Sequence, residues 1–177
     1  LANQPFTITA GSTETVIYVD LIDDNFREIT ETFKLSITQL SNATTSPVKG
    51  QGWAYGQIID NDSMPGIAIA DASVNEGAGT AKLLLTLSAP EASDTTVTVQ
   101  TQEDTANANL DYVDKSEVIT FASGQVTATA TISILEDLLD EANEQFVIAL
   151  SDASVLLEDD LAQVTIIDND SPPNLTV

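Results

Sequence analysis

The chain has 177 residues, enough for one large domain or about one and a half small sandwiches. Its 28 acidic residues against 5 basic ones leave a net charge of −23, a field that repels nucleic acid and anionic lipid surfaces and attracts cations. With no cysteine and no histidine, the sequence excludes disulfides, thiolate or imidazole metal ligands, and the commonest general base.

Apolar residues make up 42% of the chain, so a packed core is expected rather than disorder. No window approaches 18 uninterrupted apolar residues, so no membrane-spanning helix and no membrane insertion are expected. An evenly spread acidity would serve solubility alone, but here the acids are clustered.

In chain order, the first signals are a turn at Gly11 and a period-two row of Ile17, Val19 and Leu21, which predicts a strand. The acidic run Asp23 to Phe33 (DDNFREITETF) follows, and Phe33, Leu35 and Ile37 predict the next strand. The stretch Ser41 to Gly52, rich in Ser, Thr, Pro and Gly, reads as a loop before a last strand. That strand ends in IIDNDS, Ile58 to Ser63. This half-set of strands exposes its inner face unless something completes it.

The same order then recurs at greater length. Ala81, Leu83, Leu85 and Leu87 alternate with Lys82, Leu84 and Thr86, and Val97 and Val99 alternate with Thr96, Thr98 and Gln100. Ala128, Ala130, Ile132 and Ile134 alternate with Thr127, Thr129, Thr131 and Ser133. Leu135 to Gln145 has helix-friendly residues but is short, and it reads as an acidic loop with at most one turn. Phe146, Ile148 and Leu150, then Val164 and Ile166, close the set before a second IIDNDS at Ile166 to Ser171. Each inward apolar row has a polar, often β-branched outward row, as a sheet with one wet face requires. Several short strands within one repeat predict an all-β, immunoglobulin-like antiparallel β-sandwich in tandem repeats.

The repeat fixes the register. Phe33 corresponds to Phe146, which sets Asp24 on Asp137, Glu28 on Glu141, Glu31 on Glu144 and Gly11 on Gly124. Residues 1–62 therefore read as the C-terminal half of one repeat, 63–171 as a complete repeat, and 172–177 as a linker or the first strand of another.

Acids gather at the expected strand ends of the second copy. They are Glu76, Asp111, the run Glu136, Asp137, Asp140, Glu141 and Glu144, and the pair Asp168 and Asp170. The first copy offers Asp23, Asp24, Glu28, Glu31, Asp60 and Asp62. In a sandwich, alternate loops meet at one end, so carboxylates far apart in sequence converge there. Packing them without a cation costs Coulomb energy. A hard ion such as Ca²⁺, which takes about 6–8 oxygen ligands, removes that cost. Neither acidic run has the EF-hand spacing.

Six motifs in order carry a resemblance: VNEG (Val74 to Gly77), TQEDTA (Thr101 to Ala106), Asp111 with Tyr112, Phe121 with Gly124, Asp137 to Phe146, and Ile166 to Asp170. Residues 66 to 170 resemble the Calx-beta family, and the first copy matches only the later motifs. The resemblance implies a seven-stranded sandwich with calcium at one end, held by Glu76, Asp111, Glu136, Asp137, Glu141, Glu144, Asp168 and Asp170. Leu138 and Asn25 stand where calcium-rich members carry an acid, and Asn169 replaces the middle Asp of the last motif, which implies fewer or weaker sites.

The leading functional expectation is a structural and adhesive module, extracellular or at the cell surface. Calcium at the domain ends would stiffen the linkers Ser63 to Gly66 and Ser171 to Asn174. Its partners are neighbouring repeats, another copy completing the first half-domain, and a surface protein or glycan. A calcium-sensing regulatory domain is the alternative. Catalysis is not expected. A carboxylate-pair glycosidase would want sugar-stacking aromatics, which are 5% of the chain, and Trp53 and Tyr55 read as outward strand residues. The sequons at Asn42, Asn61, Asn169 and Asn174 are read as incidental.

Overall fold

The structure, a computed structural model, describes residues 5–39, 41 and 52–175. Two compact units form: one of Leu1–Asp24 with Glu31–Ile58, the other of Asn25–Thr30 with Ile59–Val177.

In the first unit, β1 (Glu31–Ser36) pairs antiparallel with β2 (Trp53–Ile58), Phe33 facing Gly56 and Lys34 facing Tyr55. A Cβ on Gly56 would come within 2.4 Å of the Phe33 ring, so the aromatic lies directly over the glycine. On the opposite face Trp53 and Tyr55 meet edge-on at 5.1 Å, and Lys34 Nζ sits 5.1 Å from the Trp53 ring. The strand expected at Ile17 to Leu21 is not formed; the three apolar side chains are 40%, 43% and 57% exposed. A period-two row becomes a strand only when a neighbouring strand takes its backbone hydrogen bonds. The expected Ser41 to Gly52 loop lies outside the described residues except at its two ends.

The second unit is a sandwich. Its elements are β3 (Gly66–Ile69), β4 (Ala72–Asn75), a 3₁₀ turn at Glu76–Ala78, β5 (Thr80–Leu87), β6 (Thr95–Glu103) and β7 (Ser116–Phe121). They continue with β8 (Thr127–Ser133), β9 (Glu144–Ser151), β10 (Leu156–Asp159) and β11 (Leu161–Ile167). One sheet runs β10-β3-β5-β8 and the other β4-β11-β9-β6-β7. The alternating rows bury as their period demands. Leu83, Leu85, Val97, Val99, Ile132, Phe146, Ile148 and Val164 join one core fed by both sheets. Each such side chain contributes about 1.5–3 kcal/mol of hydrophobic stabilisation. Leu83 faces Ala130 and Leu85 faces Ala128 across β5 and β8, a large residue against a small one.

Two details depart from expectation. Nine strands form in place of seven, because the first strand breaks at residues 70–71 into β3 and β4, which join different sheets, and because β10 is an added short strand. Two pairings are parallel, β3 with β10 and β4 with β11; the remaining pairs are antiparallel. Residues 135–143 form a loop leading into β9; the expected loop over Leu135 to Gln145 is two residues too long, because Glu144 and Gln145 already pair with β11. The equivalent glycines Gly11 and Gly124 both have positive φ, 88° and 78°, so the repeat extends to backbone conformation.

Candidate metal centre

Strand register builds the site. Ile166 of β11 pairs with Glu144 of β9 on one side, and Ile167 pairs with Asn75 of β4 on the other. Glu76 follows Asn75, and Asp168 follows Ile167, so three carboxylates from three elements arrive at one sheet end. The loop after β6 joins them through a bridge between Tyr112 and Ile134 and a hydrogen bond from Leu135 N to Asp111 O at 2.9 Å. Tyr112 plugs the core beneath, fully buried and stacked on Phe146 with ring centres 4.1 Å apart. Its hydroxyl has no hydrogen-bond partner among the described residues. Burial, then Glu103, Asp114 and Asp111, push that phenol up to about 12.

Two triads of carboxylates result, each with oxygens within 4.8 Å of one another: Glu76, Asp168 and Asp170; and Asp111, Glu141 and Glu144. Glu76, Asp111, Glu141, Glu144 and Asp168 line one shallow hollow with Ala142 and Ile166. Glu136 and Asp137 flank it. Glu76 accepts a hydrogen bond from Asp137 N at 3.1 Å, and Glu136 accepts one from Asn169 Nδ2 at 3.3 Å. The glycine of the VNEG motif has a steric reason, since a Cβ on Gly77 would lie 2.9 Å from Glu136 Oε2. Gly77 N in turn donates to Asn169 Oδ1 at 3.2 Å, so the sequon residue Asn169 is engaged on both its amide atoms.

The electrostatics are those of anions held together without a counter-charge. Glu144 is pushed up to about 7, first by burial, then by its hydrogen bond to Asp111 and the charges of Asp111, Glu141 and Glu76. Glu76 is raised by burial and by Asp137, Glu136 and Asp170, against the hydrogen bond from Asp137 N that lowers it. Partial desolvation and then Asp137, Asp111 and Asp168 raise Glu141. Desolvation and then Asp168, Glu136, Asp137 and Asp140 raise Asp170. The observation that tests the fit to a metal is local. Asp168 Oδ1 and Asp170 Oδ2 are shielded from solvent yet have no hydrogen-bond partner among the described residues. Hard anionic oxygens, clustered and partly unpartnered, are the donor set of a hard divalent cation.

All eight acids expected in the second copy therefore stand at this pole, six of them in the triads. Among the described residues neither triad includes Asp23, Asp24, Glu28, Glu31, Asp60 or Asp62 of the first copy. Charge-based reading passed over the amides. Asn143 Oδ1 accepts from Asp168 N at 3.2 Å, and Asn107 N donates to Asp111 Oδ2 at 2.6 Å. Asn143 stands next to Glu144 in sequence, which was the available signal; Asn107, four residues before Asp111, offered none.

This architecture defines a class of β-sandwich with an acidic pole. The sequence profile of the Calx-beta domain matches residues 5–62 and 59–170, and the chain belongs to that family. The apo-form Calx CBD1 domain superposes with a TM-score of 0.57 at 23% identity, covering 61% of this chain and 100% of that one. The calcium binding domain CBD12 of CALX1.1 gives 0.55 at 24%, covering 59% and 44%. In sequence, adhesion G-protein coupled receptor V1 of Danio rerio is 28% identical over 187 residues, 92% of this chain. The chain spans about 3% of that receptor's length.

Proposed function

We propose that the second repeat binds Ca²⁺ through its two carboxylate triads and serves as a non-catalytic structural module in a tandem array of a cell-surface or extracellular protein. The supporting observation is the pair of shielded, unpartnered oxygens on Asp168 and Asp170 inside a cluster of like charges. Glu76, Asp168 and Asp170 would hold one ion, and Asp111, Glu141 and Glu144 another, with Glu136 and Asp137 at the rim. Bound calcium supplies positive charge and ties together four chain segments that otherwise repel. A related solved structure described as a calcium binding domain lends this reading its family context, and the adhesion receptor lends it the cell-surface setting.

The structural role follows from position. The motif Asp168-Asn169-Asp170 leads directly into the Pro-containing linker at Ser171 to Asn174, and Asp60-Asn61-Asp62 leads into Ser63 to Gly66. In this reading repeat boundaries fall after residues 62 and 171, and neighbouring repeats are the primary partners.

Calorimetric titration of the chelator-stripped chain with Ca²⁺ is the test. Saturable binding is expected, with the ion held by Glu76, Asp168 and Asp170 lost in the double variant D168N/D170N and the one held by Asp111, Glu141 and Glu144 retained. Absence of binding at millimolar Ca²⁺ would refute the proposal.

A further inference from the structure

The outward face of the β1–β2 hairpin departs from the rest of the chain in composition. Alternate residues share it, paired across the strands as Thr32 with Gln57, Lys34 with Tyr55 and Ser36 with Trp53. None of the six is acidic in a chain carrying 28 acids, and Lys34 is one of its 5 basic residues. Trp53 is the single tryptophan of the chain. It stands 41% exposed and Tyr55 65% exposed. Aromatic rings left together in water are the usual anchors of a recognition face. The second repeat shows that this face stays in water when a sandwich is complete. In the repeat register the six positions correspond to Gln145, Val147, Ala149, Leu161, Gln163 and Thr165, and the cross-strand pairs are reproduced one for one. Each of these is exposed or half-buried, whereas Phe146, Ile148 and Val164 between them lie in the core. The exposure of Trp53 and Tyr55 therefore comes with their place in the repeat. The second copy fills the same positions without an aromatic ring or a charge, so the platform is particular to the first copy.

The geometry makes a corner. The two rings meet at 65° with centres 5.1 Å apart, so Trp53 stands as a wall beside the more exposed Tyr55. Lys34 Nζ lies 5.1 Å from the Trp53 ring centre, held there by the electron-rich ring face. Neither ion pair among the described residues involves Lys34. An aromatic face attracts the polarised C–H bonds on the flat side of a pyranose ring. Lysine brings three N–H donors, a positive charge and no acceptor, so with no acid on the face it favours a ligand that carries a negative charge. We infer that this face binds a carboxylated pyranose, a hexuronate unit of an acidic glycan: Tyr55 stacks on the sugar ring, Trp53 bounds it, and the Lys34 ammonium pairs with the carboxylate. Thr32, Ser36 and Gln57 take the sugar hydroxyls. The net charge of −23 opposes anions at long range, and physiological salt screens that field beyond about 8 Å. The site uses no residue of the carboxylate triads and stands whether or not the second repeat binds calcium.

The single tryptophan makes the test direct. The full chain, in chelator and about 0.15 M salt, is titrated with an oligosaccharide of alternating glucuronate and N-acetylglucosamine while Trp53 emission is read. The same oligosaccharide with its carboxylates reduced to alcohols is the neutral comparison. A saturable change with the acidic probe is expected, with a Kd of about 1 mM or below, and binding at least about tenfold weaker for the neutral one. K34Q is expected to erase that preference, and Y55A to weaken both probes at least about tenfold. The Ile37 amide, which donates to Gly52 O at 2.6 Å at the end of the hairpin, reports by its exchange that the variants keep the strand pairing. Should Y55A lose that protection, the two probes on the unaltered chain still decide. No saturable change with the acidic probe would overturn the inference. Equal affinity for the two probes would leave a neutral-sugar platform and overturn the role of Lys34, and full-strength binding in a paired Y55A would move the site elsewhere. Emission that shifts with protein concentration alone would put a second copy of the chain on this face, which also overturns the assignment.

Discussion

The two poles of the second repeat handle anionic charge in opposite ways. At the far pole one buried acid, Glu91, meets a cation of the chain itself, Arg27 at 2.8 Å. At the near pole eight acids gather, and neither ion pair among the described residues, Arg27–Glu91 or Lys115–Glu117, involves any of them. A chain with 5 basic residues against 28 acidic ones cannot neutralise such a cluster internally. Internal pairing makes a contact that is complete on folding. On the function proposed above, an uncompensated cluster makes a contact that an ion from outside completes, and so one that environment can switch.

The sharpest way to break this contrast is to remove the ion. At free Ca²⁺ about a thousandfold above its Kd, binding to the folded state adds about 4 kcal/mol of stability. For a repeat of this size that is a shift of roughly 15 °C in melting midpoint. Calorimetry of the full chain with excess Ca²⁺ and with chelator is expected to show that shift. Coincident melts in the two conditions would mean that the near pole needs no ion.

Proton competition gives the next largest effect, with a sign that separates the two states. Without calcium, Glu144 is held up to about 7 in the folded chain against 4.5 when unfolded, by burial first and then by Asp111. Folding therefore takes up a proton between those values. That stabilisation is fully present below pH 4.5 and is lost as pH rises through 7. The chelated chain is expected to be more stable at pH 5 than at pH 8, by on the order of 2 kcal/mol. With saturating calcium the trend reverses, because the ion displaces the proton and binds more tightly as pH rises. Melting series at pH 5 to 8 in both conditions check the crossing. Parallel series would contradict it.

A single substitution sharpens the same point. Asp168 adds to the repulsion on both Asp170 and Glu141. The isosteric change D168N is therefore expected to raise the melting midpoint of the chelated chain slightly while weakening calcium binding on the order of tenfold or more. A residue with a purely structural role would move both states in the same direction.

How much of this was legible in sequence follows from range. The rows of Leu83, Leu85, Val97, Ile132 and Phe146 are local, and period two alone placed them in a core. The acids of the second copy were legible because strand ends and motif order carry them. Gly77 was visible as a motif letter, but its reason, the Glu136 carboxylate against its backbone, depends on a loop folded back from 59 residues away. The split of one strand into β3 and β4 had no periodic signature, since both halves keep inward apolar residues. The row Ile17, Val19 and Leu21 misled because it predicts a strand without saying what it pairs with. The Arg27–Glu91 pair, 64 residues apart, was hidden inside a run whose net sign is negative.

The smallest expected effect is at the pole that needs no ion. The Glu91 and Arg27 pairing and the Gly124 amide bond are complete within the protein, and they stand at the opposite end of β5 from the carboxylates. Sites so separated, sharing no partner, act independently to within about 0.5 kcal/mol. Chelation is therefore expected to speed exchange at the near pole, at amides such as Asp137 N and Asp168 N that bond to loop side chains there. Gly124 exchange should change less than about threefold under conditions where the repeat remains folded. If Gly124 loosens as much as Asp168 when calcium is withdrawn, the sandwich transmits the ion's presence along its whole length. The poles would then be two ends of one switch, and the contrast between internal and borrowed charge would describe their chemistry but not their behaviour.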